Sequence, residues 1–137
     1  MSDNVNTFRW PIRVYYEDTD SGGVVYYANY LKFMERARTE WLRSLGLEQD
    51  ELIARESVIF AVRSVQVDYL LPARFNEALT VSVGVVEQGR ASLTFEQIIR
   101  RNDDPVILCQ GRIKIACLDS QSFKPRRLPA GVGTIGE

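Results

Sequence analysis

The sequence predicts an α+β domain in which about five mostly antiparallel strands wrap around one long helix. Three observations carry that expectation. Tyr30, Phe33, Met34, Ala37, Trp41 and Leu45 recur at helical spacing, while Lys32, Glu35, Arg36, Thr39 and Arg43 fall mostly off that face. Phe8–Tyr16, Val58–Leu71, Leu79–Val85, Ala91–Arg101 and Val106–Leu118 are rich in apolar residues at the two-residue period of half-buried strands. Turn signals stand between them: Gly22-Gly23, Pro72-Ala73, Gly89-Arg90 and Asn102-Asp103-Asp104-Pro105. A helix laid on one face of such a sheet buries both apolar surfaces. At 137 residues the chain is one domain by size, with its core expected over about 8–129.

In the first strand Phe8, Trp10, Ile12, Val14 and Tyr16 share one parity, against Arg9, Arg13 and Tyr15. Pro11 lacks a ladder donor, which predicts an edge strand or a local break. Tyr16 shares the apolar parity and is expected to point inward, toward the helix. The helix is expected from Ala28 to Leu45, about 27 Å long at 1.5 Å per residue. Gly46 suits the left-handed residue that closes a helix, and Leu47 the apolar contact that accompanies it. Glu48–Arg55 reads as a short second helix. In the long second strand the apolar parity switches between Val58, Phe60, Val62 and Val65, Val67, Tyr69, which predicts a β-bulge near Arg63-Ser64.

Composition narrows the function. A net charge of -1 argues against a dedicated nucleic-acid binder. No apolar run approaches the roughly 20 residues that span a bilayer, and the N-terminal residues lack the pattern of a secretory signal, so a cytoplasmic protein is expected. Cys109 and Cys117 lie eight residues apart in one predicted strand, roughly 26 Å in a regular strand. That is too far for a disulfide, and buried thiols are expected. The chain has no histidine. Ser-His-Asp and Cys-His catalysis and histidine-ligated zinc are therefore excluded. Chemistry must come from carboxylates, tyrosines, cations or backbone amides.

Those groups converge in Tyr15-Tyr16-Glu17-Asp18-Thr19-Asp20-Ser21-Gly22-Gly23-Val24-Val25-Tyr26-Tyr27-Ala28-Asn29-Tyr30. Gly22 and Gly23 allow a tight turn or close approach. The helix beyond begins with amides that have no intrahelical acceptor, at the positive end of its dipole. Such amides receive an anion or a polarised carbonyl oxygen. Asp18 and Asp20 lie just upstream, and spacing alone does not choose between them. Asp18, Asp20 and Gly23 also fit the first, third and sixth positions of a calcium loop. Asn29 at the twelfth, and a strand in place of the entering helix, argue against it, and no metal or cofactor is expected.

The run RWPIRVYYEDTDSGGVVYYANYLKFMERARTEWL resembles the opening of hotdog-fold acyl-CoA thioesterases of the 4-hydroxybenzoyl-CoA thioesterase superfamily. The nearest likeness is to the Tol-Pal system-associated acyl-CoA thioesterases. VDYLLPARFNEALTV, GRASLTFEQ and DSQSFKPRRLP extend the likeness over nearly the whole chain. The resemblance implies a hotdog fold, hydrolysis of acyl-CoA, and a homodimer or homotetramer with active sites between subunits. The absence of histidine disfavours the hotdog dehydratases, which resemble this fold but work through a histidine. The resemblance implies Asp20 as the catalytic carboxylate, acting as nucleophile or general base. The backbone amide of Tyr27 would polarise the carbonyl, and Tyr16 would position substrate or water. Gly23, Val24, Arg90 and Ser92 match substrate-contacting positions, Arg90 lying in the segment that lines the CoA groove. Tyr27 stands where Tol-Pal-associated members usually carry histidine. A phenol does not replace a neutral imidazole as a base at neutral pH, but any residue except proline supplies the amide. Lys124, Arg126 and Arg127 form a basic patch read as a solvated tail. The competing reading is a non-catalytic hotdog module that binds acyl carrier protein or a cell-envelope partner.

Overall fold

The computed structural model describes residues 8–132. Five strands form one antiparallel sheet: β1 (Phe8–Arg13), β2 (Val58–Tyr69), β3 (Ala78–Gln88), β4 (Ser92–Arg101) and β5 (Ile107–Asp119). Their order is β1-β3-β4-β5-β2, so β1 and β2 are the edges. Helix α1 (Tyr27–Ser44) lies against the sheet, and α2 (Gln49–Glu56) follows it. This is the helix-in-sheet arrangement of the hotdog fold.

The sheet and helix are joined by the residues that the periodicity singles out. Phe33, Met34 and Ala37 of α1 are fully buried against Leu79, Val81, Leu93, Phe95, Ile99 and Ile113. Each large side chain buried there contributes roughly 1.5–3 kcal/mol from the area it removes from water. Trp41 sets its ring edge-on to Phe95 at 5.2 Å. Gln97 shares the inward parity of Leu93, Phe95 and Ile99 and is wholly buried, but its amide is satisfied. Its Nε2 donates to the Met34 carbonyl at 3.0 Å, and Arg38 donates to its Oε1 at 2.8 Å. Gly111 permits the closest approach of α1: a Cβ there would stand 3.0 Å from the Met34 sulfur.

α1 ends as its sequence requires. Gly46 takes φ +84, its N–H donates to the Arg43 carbonyl, and Leu47 N–H reaches back to Leu42. In β2 the register shifts between Val62 and Ser64, where the parity switch places a bulge. Pro11 sits in edge strand β1 opposite Thr80. Both cysteines are free and buried. Burial raises the Cys109 thiol to about 12, with Asp68 adding to the shift.

Two expectations fail. Leu45, expected on the apolar face of the long helix, caps the end of α1 and is exposed. Tyr16 does not point inward: it is 80% exposed, its ring tilted against Phe75 at 5.3 Å. β1 ends at Arg13, and Tyr16–Asp18 form a 3-10 turn instead of more strand. The cause is Asp18, whose carboxylate turns into the protein and accepts the Tyr15 N–H at 2.8 Å. The period-two argument holds only while the ladder continues, and here it has stopped.

Candidate active site

The acidic loop is a hairpin turn built around Asp20. Asp20 N–H donates to the Val24 carbonyl at 2.9 Å, Gly23 N–H donates to the Asp20 carbonyl at 3.1 Å, and Thr19 bridges Val25. Gly23 takes φ +78, as the closing residue of a three-residue hairpin loop does. Gly22 N–H donates to Asp20 Oδ1 at 2.8 Å. A Cβ on Gly22 would stand 3.3 Å from that same oxygen, so both glycines serve the carboxylate's position. Asp20 is exposed, and nothing among the described residues donates to its Oδ2.

Asp18 is the opposite case. It is 3% exposed, and both oxygens are engaged: Oδ2 by the Tyr15 N–H, Oδ1 by Asn29 Nδ2 at 2.9 Å. The tie that sequence spacing leaves between the two aspartates is broken by burial. Of the two, Asp20 has the carboxylate open to solvent.

Three residues beyond Gly23 the chain enters α1. Tyr26 is the N-cap in extended conformation, with φ -63 and ψ 133. Its N–H donates to the Asp18 carbonyl at 2.9 Å, and Asn29 N–H donates to the Tyr26 carbonyl at 2.8 Å. The amides of Tyr27 and Ala28 belong to the first turn and have no intrahelical acceptor. They stand at the positive end of an 18-residue helix. Oxyanion-type donors at such a position act without reorganisation when charge develops.

Tyrosine rings border these amides. Tyr27 is exposed, with ring centroids 4.8 Å from Tyr26 and 6.0 Å from Tyr69. Tyr69 in turn lies 5.5 Å from the buried Tyr30, whose hydroxyl accepts the Ala73 N–H at 2.9 Å. Burial raises Tyr69 above its ordinary value, with the charges of Cys109 and Tyr27 adding to the effect. Burial likewise raises Tyr30, partly opposed by the Ala73 amide. A hydrogen bond with Tyr27 raises Tyr26. None of these three phenols supplies a base at neutral pH.

The segment after β2 completes the surroundings. Val24 bridges Arg74, Val25 N–H donates to Ala73, and Phe75 N–H reaches the Gly23 carbonyl at 3.5 Å. Arg101 pins this segment through Glu77 at 2.6 Å and the Pro72 carbonyl at 3.0 Å. Asn29, Tyr69, Ala73 and Phe75 were not singled out from sequence. Asn29 alone had a signal, an amide one turn into the helix facing an acidic loop.

Asp20, Gly23 and Val24 therefore share one turn, which leads into the helix end that carries Tyr27, with Tyr16 on the surface beside Phe75. Arg90 and Ser92 do not join them within one chain. β3 runs from Ala78, beside the end of β1, to Gln88, and Arg90 lies in the turn beyond it. Eleven residues of strand are roughly 33 Å, so Arg90 stands at the opposite end of the sheet. Of the basic patch, Arg126 is tied to Asp119 at 3.3 Å. Among the described residues no group of three or more potential metal ligands occurs, and no helix is long and apolar enough to cross a membrane.

A long helix cradled by a five-stranded sheet, with a carboxylate loop at the helix N-terminus, is the framework of hotdog thioesterases. The Thioesterase superfamily profile matches residues 22–108, and the chain belongs to that family. The match starts two residues after Asp20 and includes Tyr27. The chain is 43% identical over 127 residues to the acyl-CoA thioesterase YbgC of Haemophilus influenzae, covering 93% of this chain and 92% of that one. It is 44% identical over 129 residues to the acyl-CoA thioester hydrolase YbgC of Escherichia coli O6:H1, covering 94% and 95%. The crystal structure of "Probable Thioesterase from Bartonella henselae" superposes with a TM-score of 0.84 at 34% identity, covering 90% of this chain and 99% of that one.

Proposed function

We propose that the protein hydrolyses acyl-CoA thioesters to the free acid and CoA, with Asp20 as the reacting carboxylate and the Tyr27 amide as the oxyanion donor. The observation that carries this reading is the accessible Asp20 carboxylate, held through one oxygen, on the turn that leads into α1. The Tyr27 N–H, aided by the helix dipole, holds the carbonyl oxygen as it gains charge. Asp20 either attacks the carbonyl carbon, giving an anhydride that water opens, or takes a proton from the attacking water. In both routes the thiolate leaves as CoA and an oxygen of water ends in the acid. The rings of Tyr26, Tyr27 and Tyr69 offer the acyl group an apolar surface beside the amide. The acyl-CoA thioesterase activity for which relatives at 43% and 44% identity are named supports the same reaction.

The site is completed by a second copy. Among the described residues β2 pairs only with β5, which leaves a 12-residue edge with Val62 and Val65 exposed. Such an edge invites a strand partner. Antiparallel pairing of β2 with its own copy sets the Val58 end of one chain beside the Tyr69 end of the other. The Arg90 turn belongs to the Val58 end, since Ser92 pairs with Ala116 and Val58 with Asp119 on neighbouring β5. Arg90 and Ser92 of the partner subunit are thereby carried to the Asp20 end, where Arg90 meets a CoA phosphate. The assembly is a homodimer or a dimer of dimers.

The test is CoA-thiol release across short, long and aromatic acyl-CoAs, with an acyl carrier protein thioester as a further substrate, alongside light scattering. Turnover of a CoA ester by an oligomer is expected. No turnover across the panel would favour the non-catalytic module that binds acyl carrier protein or an envelope partner. A monomeric mass at micromolar concentration would remove the composite site.

A further inference from the structure

Asp18 is a buried carboxylate that the proposed chemistry does not use. All of its hydrogen bonds nonetheless go to the segments that carry that chemistry. Oδ2 takes the Tyr15 N–H at 2.8 Å, at the start of the acidic loop. Oδ1 takes Nδ2 of Asn29 at 2.9 Å, in the first turn of α1. Its carbonyl takes the Tyr26 N–H at 2.9 Å, the peptide directly before Tyr27. Asp20 lies two residues downstream, across the Thr19–Val25 bridge. One residue, 3% exposed, thus ties the loop bearing the carboxylate to the helix end bearing the amide.

We propose that Asp18, acting through Asn29, is a positioning residue that fixes the distance between the Asp20 carboxylate and the Tyr27 amide. This rests on the reading of Asp20 and Tyr27 given above. The chemistry of the pair makes the geometry specific. Asp18 faces two donors, and a carboxylate is acceptor-only, so every bond has one sense. A buried polar group left without its partner forces a local shift. A shift near 1 Å in a reacting geometry costs about a hundredfold in rate.

The two residues are close in size, so their contact can be inverted. Asn29→Asp leaves two carboxylates facing each other and should push the helix end from the loop. Asp18→Asn/Asn29→Asp restores a donor–acceptor pair, because Asn at 18 accepts from Tyr15 and donates to Asp at 29. Asp18→Asn alone is mild, since the Asn29 carboxamide can turn over and accept.

The experiment measures kcat and KM for CoA-thiol release by wild type, Asn29→Asp, Asn29→Ala, the exchanged pair and Asp20→Asn. Each is assayed where circular dichroism shows an intact fold, with hydrogen exchange at the Tyr15 amide. Asn29→Asp should lose about ten- to a hundredfold in kcat with KM within about threefold, and the exchanged pair should regain most of it. Asn29→Ala deletes the donor without adding charge and should lose about tenfold, which decides the matter if Asn29→Asp does not fold. Tyr15 exchange should accelerate in Asn29→Asp and slow again in the exchanged pair. If Asp20→Asn is inactive but Asn29→Asp and Asn29→Ala turn over like wild type, or the exchange rescues nothing, the positioning role is wrong and the site reading stands. Wild-type turnover by Asp20→Asn would overturn the site reading and this inference with it.

Discussion

Replacing Tyr27 by proline removes one N–H from the helix end and little else. Tyr27 is the first helical residue, a position proline tolerates because its amide has no intrahelical acceptor. Tyr26, at φ -63 and ψ 133, already has the extended conformation that a residue before proline adopts. The structural cost is therefore that of the ring. Tyr27 is 60% exposed and touches Tyr26 and Tyr69, so losing those contacts should cost about 1 kcal/mol. That corresponds to a fall of about 4 °C in Tm. The catalytic cost should be far larger, a hundred- to a thousandfold in kcat, or about 2.7–4 kcal/mol for one oxyanion donor. Tyr27→Ala loses the same ring but keeps the amide, and Tyr27→Phe loses only the hydroxyl. Both should retain most turnover in a thiol-release assay. The protein's own thiols add little background, since both are buried and Cys109 is raised to about 12. Turnover by Tyr27→Pro within about threefold of Tyr27→Ala would refute the oxyanion role. A collapse in Tyr27→Phe would assign the work to the phenol.

Two further outcomes follow from more distant groups. Arg90→Ala should raise KM for CoA esters with little change in kcat, because a phosphate contact is remote from the reacting carbonyl; steady-state kinetics showing unchanged KM would remove Arg90 from the site. Glu77→Gln should cost about 1 kcal/mol at pH 7 by chemical denaturation. Burial pushes the Glu77 carboxyl up, but the hydrogen bond and charge of Arg101, with the Arg74 amide, outweigh it and hold it below its ordinary value. A depressed carboxylate stabilises the fold at neutral pH and loses that contribution as pH falls below the ordinary glutamate range. The gap between wild type and Glu77→Gln should therefore close toward pH 3, and a gap that widens on acidification would contradict the pairing.

Much of the frame was legible because packing periodicity is local. The parity switch at Arg63-Ser64 became a register shift, Gly46 closed α1, and Pro11 lay in an edge strand. Tyr16 was misread because parity carries no information about where a ladder ends; a buried aspartate ended it. The same fact separates Asp18 from Asp20. Two carboxylates two residues apart are equivalent by spacing, and burial distinguishes them: one is enclosed by its hydrogen bonds and the other is open to solvent. Arg90 illustrates a different limit. A position in the chain does not say which end of a sheet meets which end of a neighbour, and one protomer leaves Arg90 far from Asp20.

If Asp20 carries the chemistry, the loss should appear in kcat of Asp20→Asn. The replacement keeps Oδ1 as acceptor for the Gly22 N–H, so the turn should survive and the measurement should report the lost carboxylate. Thiol release from an acyl-CoA that the wild type turns over should fall by at least about a hundredfold in kcat, with the fold intact by circular dichroism. Turnover close to wild type would mean that the Asp20 carboxylate is not the reacting group.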